Sequence, residues 1–128
     1  MKKIITGLLS FLFALEVLSP LPEKTSIKQI LDNPDKFHQK EVLIEGKISN
    51  LQLKVSKAGN SYVTFLVSDN YNNSIKVFAW GHEKINQHNI KNGDEIEIRG
   101  IFMSVKYVGK YRFYNEIEAQ DIKRLTNR

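Results

Sequence analysis

Ser74-Ile75-Lys76-Val77-Phe78-Ala79-Trp80 is followed by the polar run Gly81 to Ile90 (GHEKINQHNI), and later by Glu95 to Lys106 (EIEIRGIFMSVK). The first stretch has period two, which predicts a strand with Ile75, Val77 and Ala79 on one side and Lys76, Phe78 and Trp80 on the other. The second stretch loses that period. With Ile85 and Ile90 as its few apolar anchors it suits a short helix or helical turn. Lys91-Asn92-Gly93-Asp94 carries the residues of a tight turn. The third stretch resumes the alternation, with Ile96 and Ile98, then Ile101 and Met103, expected inward and Gly100 expected at a bend. A short helix set between two strands is the feature that decides the architecture.

Upstream, Val42 to Val55 reads as one long strand, with Gly46 where a strongly bent strand would take a bulge or kink. Ser56 to Ser61 is a turn, and Tyr62 to Ser68 (YVTFLVS) is a second strand with Val63, Phe65 and Val67 inward and Tyr62, Thr64 and Leu66 outward. Asp69 to Asn73 is a hairpin loop. Downstream, Tyr107 to Lys110 is a hairpin turn, Tyr111 to Ala119 a fifth strand, and Ile122 and Leu125 close the chain around the basic Lys123, Arg124 and Arg128. Ahead of the strands, Ser26 to Leu31 suits a short helix capped by Thr25 or Ser26 and stopped at Asn33-Pro34. Asp35 to Lys40 then forms a polar turn whose Phe37 plugs one end of the core. The order is long strand, strand, strand, helix, strand, strand. It predicts an all-β chain: a five-stranded Greek-key barrel of the OB type, with a short helix between strands three and four and a short N-terminal helix.

The 128 residues suit one domain, and 41% hydrophobic with 26% charged residues is a globular composition. Met1-Lys2-Lys3 precedes an apolar run from Ile4 to Leu15, extended to Leu18 across Glu16. A basic start and a short apolar core have the layout of a signal peptide or a membrane anchor, assigned here to residues 1–24, with residues 25–128 as the barrel domain. The run is shorter than a spanning helix needs. Ala14 and Ser19 are the small residues available for cleavage, and no cysteine is present for lipid attachment. The expected location is therefore exported, periplasmic or extracellular, or anchored at the membrane through residues 4–18.

Ile75 to Gly81, an alternating strand ending in an aromatic just before a helix, resembles the third-strand motif of the single-stranded-DNA-binding domains of replication protein A. Val42 to Gly46, Phe65 to Asp69 and Gly93 to Gly100 resemble the anticodon-binding type of OB domain found in aminoacyl-tRNA synthetases and in the large subunit of exonuclease VII. The Gly-Asp before strand four and the glycine within it match best. The resemblance covers residues 40–120 and implies the fold and a nucleic-acid-binding face.

The residues themselves point the same way. The net charge is +5, of which +4 belongs to residues 25–128, and this favours a polyanionic partner, nucleic acid or an anionic membrane face. Lys76, Phe78 and Trp80 share one strand face with Tyr62 and Thr64 of the neighbouring strand. Aromatic rings stack on bases and lysines neutralise phosphate. The alternative for Trp80 is a core position beneath the following helix. Two loops flank that face: one with Lys54, Lys57 and Asn60, the other with Lys106, Tyr107, Lys110, Tyr111 and Arg112, where cations and aromatics alternate. The second also reads as an ordinary hairpin edge protected by lysine.

Catalytic and metal chemistry find little footing. The lack of cysteine removes thiol catalysis and thiolate zinc sites. His82 and His88 are six apart, which is not ligand spacing on a helix, and Glu95 with Glu97, or Glu116 with Glu118, are ordinary outward positions of amphipathic strands. No nucleophile motif is present. The expectation is a non-enzymatic module without cofactor or metal. Its expected partner is single-stranded DNA or RNA. A cell-envelope module docking a protein or glycan on the same face is the alternative, and a small nuclease the least supported reading.

Overall fold

Val42, Ile44, Ile48, Val63, Val67, Ile75, Val77, Ile96, Ile98, Ile117 and Ile122 are β-branched, recur mostly at alternate positions, and are all buried. Such side chains are stiff and pack well on a pleated surface, so this spacing builds strands with one side turned to a common interior. The structure, a computed structural model, describes residues 22–125. The apolar stretch 4–18 expected to direct export or anchoring lies outside the described residues, as does Arg128.

Five strands form: β1 (Lys40–Val55), β2 (Ser61–Ser68), β3 (Ser74–Trp80), β4 (Glu95–Val108) and β5 (Tyr111–Arg124). They close into a barrel in the order β1-β2-β3-β5-β4, with β4 returning to β1. All neighbours are antiparallel except β3 and β5, which run parallel over Lys76–Phe78 and Glu116–Glu118. Closure leaves the barrel wall no open sheet edge. The helix expected between strands three and four is present as one turn, and Ile85 and Ile90 anchor it to the core. The fold is therefore the five-stranded OB barrel anticipated from the element order.

Helix α1 (Ile27–Asp32) starts at Ser26, whose Oγ accepts from the Gln29 N–H at 3.0 Å while Gln29 Oε1 accepts from the Ser26 N–H at 3.2 Å. This reciprocal cap fixes the start, and Ile27 and Ile30 are buried against the barrel. Pro34 ends α1 but also opens a second turn, α2 (Pro34–Phe37), because its fixed φ suits the first helical position. The polar turn expected over Asp35 to Lys40 is thus helical as far as Phe37, which packs partly buried against the core.

Two expectations about strand phase need correction. The bulge in β1 lies not at Gly46 but between Ser49 and Gln52, where Asn50 takes φ 53°. Gly46 sits where β1 passes from β4 to β2, and a Cβ there would meet the Ser68 carbonyl oxygen and Val67. Close backbone approach, rather than a bulge, accounts for that glycine. In β4 the inward positions after Ile98 are Gly100 and Phe102, while Ile101 and Met103 are half-exposed. The irregularity at Gly100 falls on β5, where Gln120 is the extra residue, so β4 keeps its phase of two.

The β2–β3 loop is closed by Asp69. Its carboxylate accepts from the N–H groups of Tyr71 (2.8 Å) and Asn73 (3.0 Å) and from the Asn73 side-chain amide (2.9 Å). Burial pushes this carboxyl up, but the three hydrogen bonds outweigh it and hold the group below the usual carboxylate range. A depressed folded pKa means a contribution present above the unfolded value of about 4 and lost as pH falls through the folded one. Asp69→Ala is expected to cost about 1–2 kcal/mol at neutral pH. In chemical denaturation the gap between variant and parent should close as the pH is taken below about 4.

Candidate functional site

β2 and β3 pair with Tyr62 opposite Trp80, Thr64 opposite Phe78 and Leu66 opposite Lys76. Directly opposed residues share a face, and Val63, Phe65, Val77 and Ala79 take the interior, so this set faces outward. Trp80 is 50% exposed, on the sheet face rather than beneath the helix. The Tyr62 and Phe78 rings stack with centroids 5.3 Å apart, and Trp80 stands edge-on to Phe78 at 4.8 Å. The β1 bulge reverses that strand's phase, which brings Lys54 opposite Tyr62 and Gln52 opposite Thr64 on the same face.

The β4–β5 hairpin forms the far wall. Pairing of β4 with β1 ends at Phe102, but β4 and β5 stay paired out to Val108 and Tyr111, so the hairpin projects beyond the barrel. Lys106 and its partner Phe113 lie at even spacing from Phe102 and Ile117, hence on the side that faces the core lower down. Asn115, at φ 54°, marks the bend by which that side comes to overhang β3. The groove between hairpin and sheet has a volume of about 370 Å³, and Lys54, Tyr62, Thr64, Lys76, Phe78, Trp80, Lys106 and Tyr107 line it. All eight are sequence-predicted site residues.

Four other predicted residues do not line it. Lys57 is exposed in the β1–β2 turn, and Lys110 in the hairpin turn, with its Nζ 5.7 Å from the Tyr111 ring. Tyr111 itself is 60% exposed. Arg112 is opposite Tyr107, with its guanidinium 5.9 Å from that ring, on the hairpin side away from Lys106. These four can meet only a ligand that extends past the groove.

The sequence reading missed Phe113, Glu116 and Glu118. Phe113 follows Tyr111 at strand spacing, and that signal was available. Glu116 was expected to be an ordinary outward residue. It does point away from the core, yet the hairpin covers it, leaving its side chain 4% exposed. Its carboxylate is ion-paired with Lys106, and Lys76 lies 3.8 Å away. The Oε1 atom is buried and has Lys106 as an ionic neighbour rather than an aligned hydrogen-bond donor. Lys106 is held in turn with its Nζ 4.3 Å from the Phe78 centroid and 5.7 Å from that of Phe113. Two predicted phosphate-facing lysines are therefore partly neutralised from below, and Lys54 is the groove cation free of an ion pair among the described residues.

His82 serves the frame. His82 Nε2 is 3.0 Å from the Lys54 carbonyl and 3.1 Å from the Tyr62 carbonyl. Both are acceptors, so this nitrogen carries the hydrogen and clamps the groove ends of β1 and β2 together. Among the described residues no group of three His, Asp or Glu side chains is gathered as a metal site. A larger hollow of about 790 Å³ lies between α1 and the Asp69–Asn73 loop. Its charged groups are engaged with one another, Lys24 with Glu45 at 2.5 Å and Asp69 with its own loop, so it offers less to a ligand.

No protein-family model matches the chain, and no curated protein matches it. Solved structures do. The single-stranded DNA binding protein from Thermus aquaticus superposes with a TM-score of 0.56 at 19% identity, over 68% of this chain and 40% of that one. This chain thus spans about two fifths of that protein's length. Rim1, a mitochondrial single-stranded DNA binding protein of S. cerevisiae, gives 0.55 at 18% identity, over 69% of this chain and 97% of that one. An OBody bound to hen egg-white lysozyme gives 0.59 at 21% identity, over 84% of this chain and 99% of that one. At such identities the likeness establishes the architecture, and this chain is an OB-fold barrel.

Proposed function

We propose that the chain is a non-catalytic module that binds single-stranded nucleic acid, DNA or RNA, in the groove between the β2–β3 face and the β4–β5 hairpin. One observation carries the reading: Tyr62, Phe78 and Trp80 form a contiguous aromatic surface on the outside of the barrel, with Trp80 half-exposed. Burial would favour placing such rings inside. An outward trio walled by lysine-bearing strands fits base stacking, worth about 1–3 kcal/mol per base. The phosphate backbone would follow Lys54 and Lys57 on one side and Lys110 and Arg112 beyond the hairpin. The single-stranded DNA binding proteins among its structural neighbours support the reading at the level of the fold. Residues 1–24 would export the module or tether it to the membrane through residues 4–18, a reading that rests on their composition.

The test is fluorescence anisotropy of a labelled single-stranded oligonucleotide with the full chain at several salt concentrations. Affinity should fall as salt rises, with a logarithmic slope near −0.7 per phosphate contacted, hence about −1.5 to −3 for two to four contacts. No binding at low salt would leave the groove to an envelope protein or a glycan.

A further inference from the structure

Glu118 faces the groove directly beside Phe78. The two are register partners across the parallel β3–β5 pairing, so their side chains leave the sheet on the same side. Glu118 is half-buried and lines the groove, on the wall next to the Phe78 ring. Its neighbour on the same face, Glu116, engages both nearby lysines. Among the described residues Glu118 itself takes part in no ion pair. Nor does its side chain hydrogen-bond to any described side chain or backbone group, leaving a carboxylate with all its acceptor capacity unused.

Such a group constrains what can stack on Phe78. A phosphate is repelled by it, so the sugar–phosphate backbone must pass on the other side, toward Lys54, and the base edge must turn to Glu118. A carboxylate accepts and cannot donate, so the edge that meets it has to supply N–H groups. Cytosine does so through its exocyclic amine, adenine likewise, and guanine through its ring N–H and amine. Thymine and uracil present one ring N–H flanked by two carbonyl oxygens, which face the carboxylate lone pairs unfavourably.

From this juxtaposition, and resting on the nucleic-acid reading above, we infer that Glu118 is a specificity-determining residue that selects amino-bearing bases over thymine or uracil at the Phe78 position. The module is then a biased binder rather than an indifferent one.

The experiment compares short deoxycytidine and deoxythymidine homopolymers on the full chain and on Glu118→Gln, read by anisotropy, with thermal melting as a control for folding. The parent should prefer the cytidine strand by roughly 5- to 150-fold. In Glu118→Gln the side-chain amide can donate as well as accept, so that ratio should collapse toward one. The substitution also removes a negative charge, which favours both strands through their phosphates, while it weakens the charge-assisted bond to cytosine, which is why the ratio is the quantity read. Equal affinities in the parent, or a preference that survives Glu118→Gln unchanged, would overturn the role of Glu118 while leaving the binding function standing. Failure of both strands to bind the folded parent would overturn the function and this inference with it.

Discussion

Phe78→Ala is expected to weaken binding of single-stranded oligonucleotides by about 5- to 150-fold, the equivalent of one lost stacking partner. Phe78 is the centre of the site. It stacks with Tyr62, meets Trp80 edge-on and lies beneath the Lys106 ammonium. Removing it leaves Tyr62 and Trp80 with only their mutual edge contact at 6.2 Å and takes away the surface that positions Lys106. The cost to the fold should be much smaller, because the side chain is on the outer face and forfeits cross-strand contacts worth about 1 kcal/mol. The measurement is a pair: oligonucleotide affinity and denaturation midpoint for parent and variant. A large drop in affinity with a near-parental midpoint is the expected outcome.

The second large effect is on stability. Phe102→Ala should destabilise the barrel by about 3–5 kcal/mol, since it empties a fully buried aromatic position where β4 crosses between β1 and β5. That is a large part of the 5–15 kcal/mol by which a domain of this size is ordinarily stable. Ile101→Ala and Met103→Ala, one residue to either side, should each cost about 1 kcal/mol or less, because both are half-exposed. Urea denaturation of the three variants reads the phase of β4 directly. If the phase were the one the sequence suggested, with Ile101 and Met103 inward, the order of effects would reverse.

That contrast also explains what could and could not be read from the residues. Strands two and three were legible because Tyr62–Ser68 and Ser74–Trp80 alternate cleanly over one register, and the structure places β2 and β3 within a residue of those limits. The outward set Tyr62, Thr64, Lys76, Phe78 and Trp80 followed from the same alternation. The site failed to be legible where the backbone leaves that period. Asn50, at positive φ, lies between Ser49 and Leu51, where the apolar phase passes from Ile44 and Ile48 to Leu51 and Leu53. A reading of one unbroken strand runs through that shift, yet the shift decides that Lys54 faces the groove. At Gly100 the extra residue is on the partner strand, and one strand's pattern cannot reveal its partner's irregularity. The fifth strand starts at Tyr111 as read, whereas β4 runs on to Val108, into the turn expected at Tyr107 to Lys110, and lengthens the hairpin. The overhang of the hairpin is what buries Glu116, and no local pattern separates a carboxylate covered by the curl of its own hairpin from one in open solvent.

The electrostatics qualify the simple picture of a basic protein attracting a polyanion. The +5 of the chain is not concentrated in the groove, where Lys54, Lys76 and Lys106 face Glu116 and Glu118. Stacking and base-edge contacts should therefore supply more of the affinity than charge does, with Lys57, Lys110 and Arg112 outside the groove providing most of the salt dependence.

Trp80 is the single tryptophan of the chain, so its emission reports on the groove alone. The most direct test of the central claim is a titration of the full chain with an unlabelled single-stranded oligonucleotide, followed by that emission. The account predicts saturable quenching, with a midpoint that matches the affinity found by anisotropy and shifts to higher concentration in Phe78→Ala. Anisotropy that saturates while Trp80 emission stays constant would place the nucleic acid elsewhere on the protein and contradict the account.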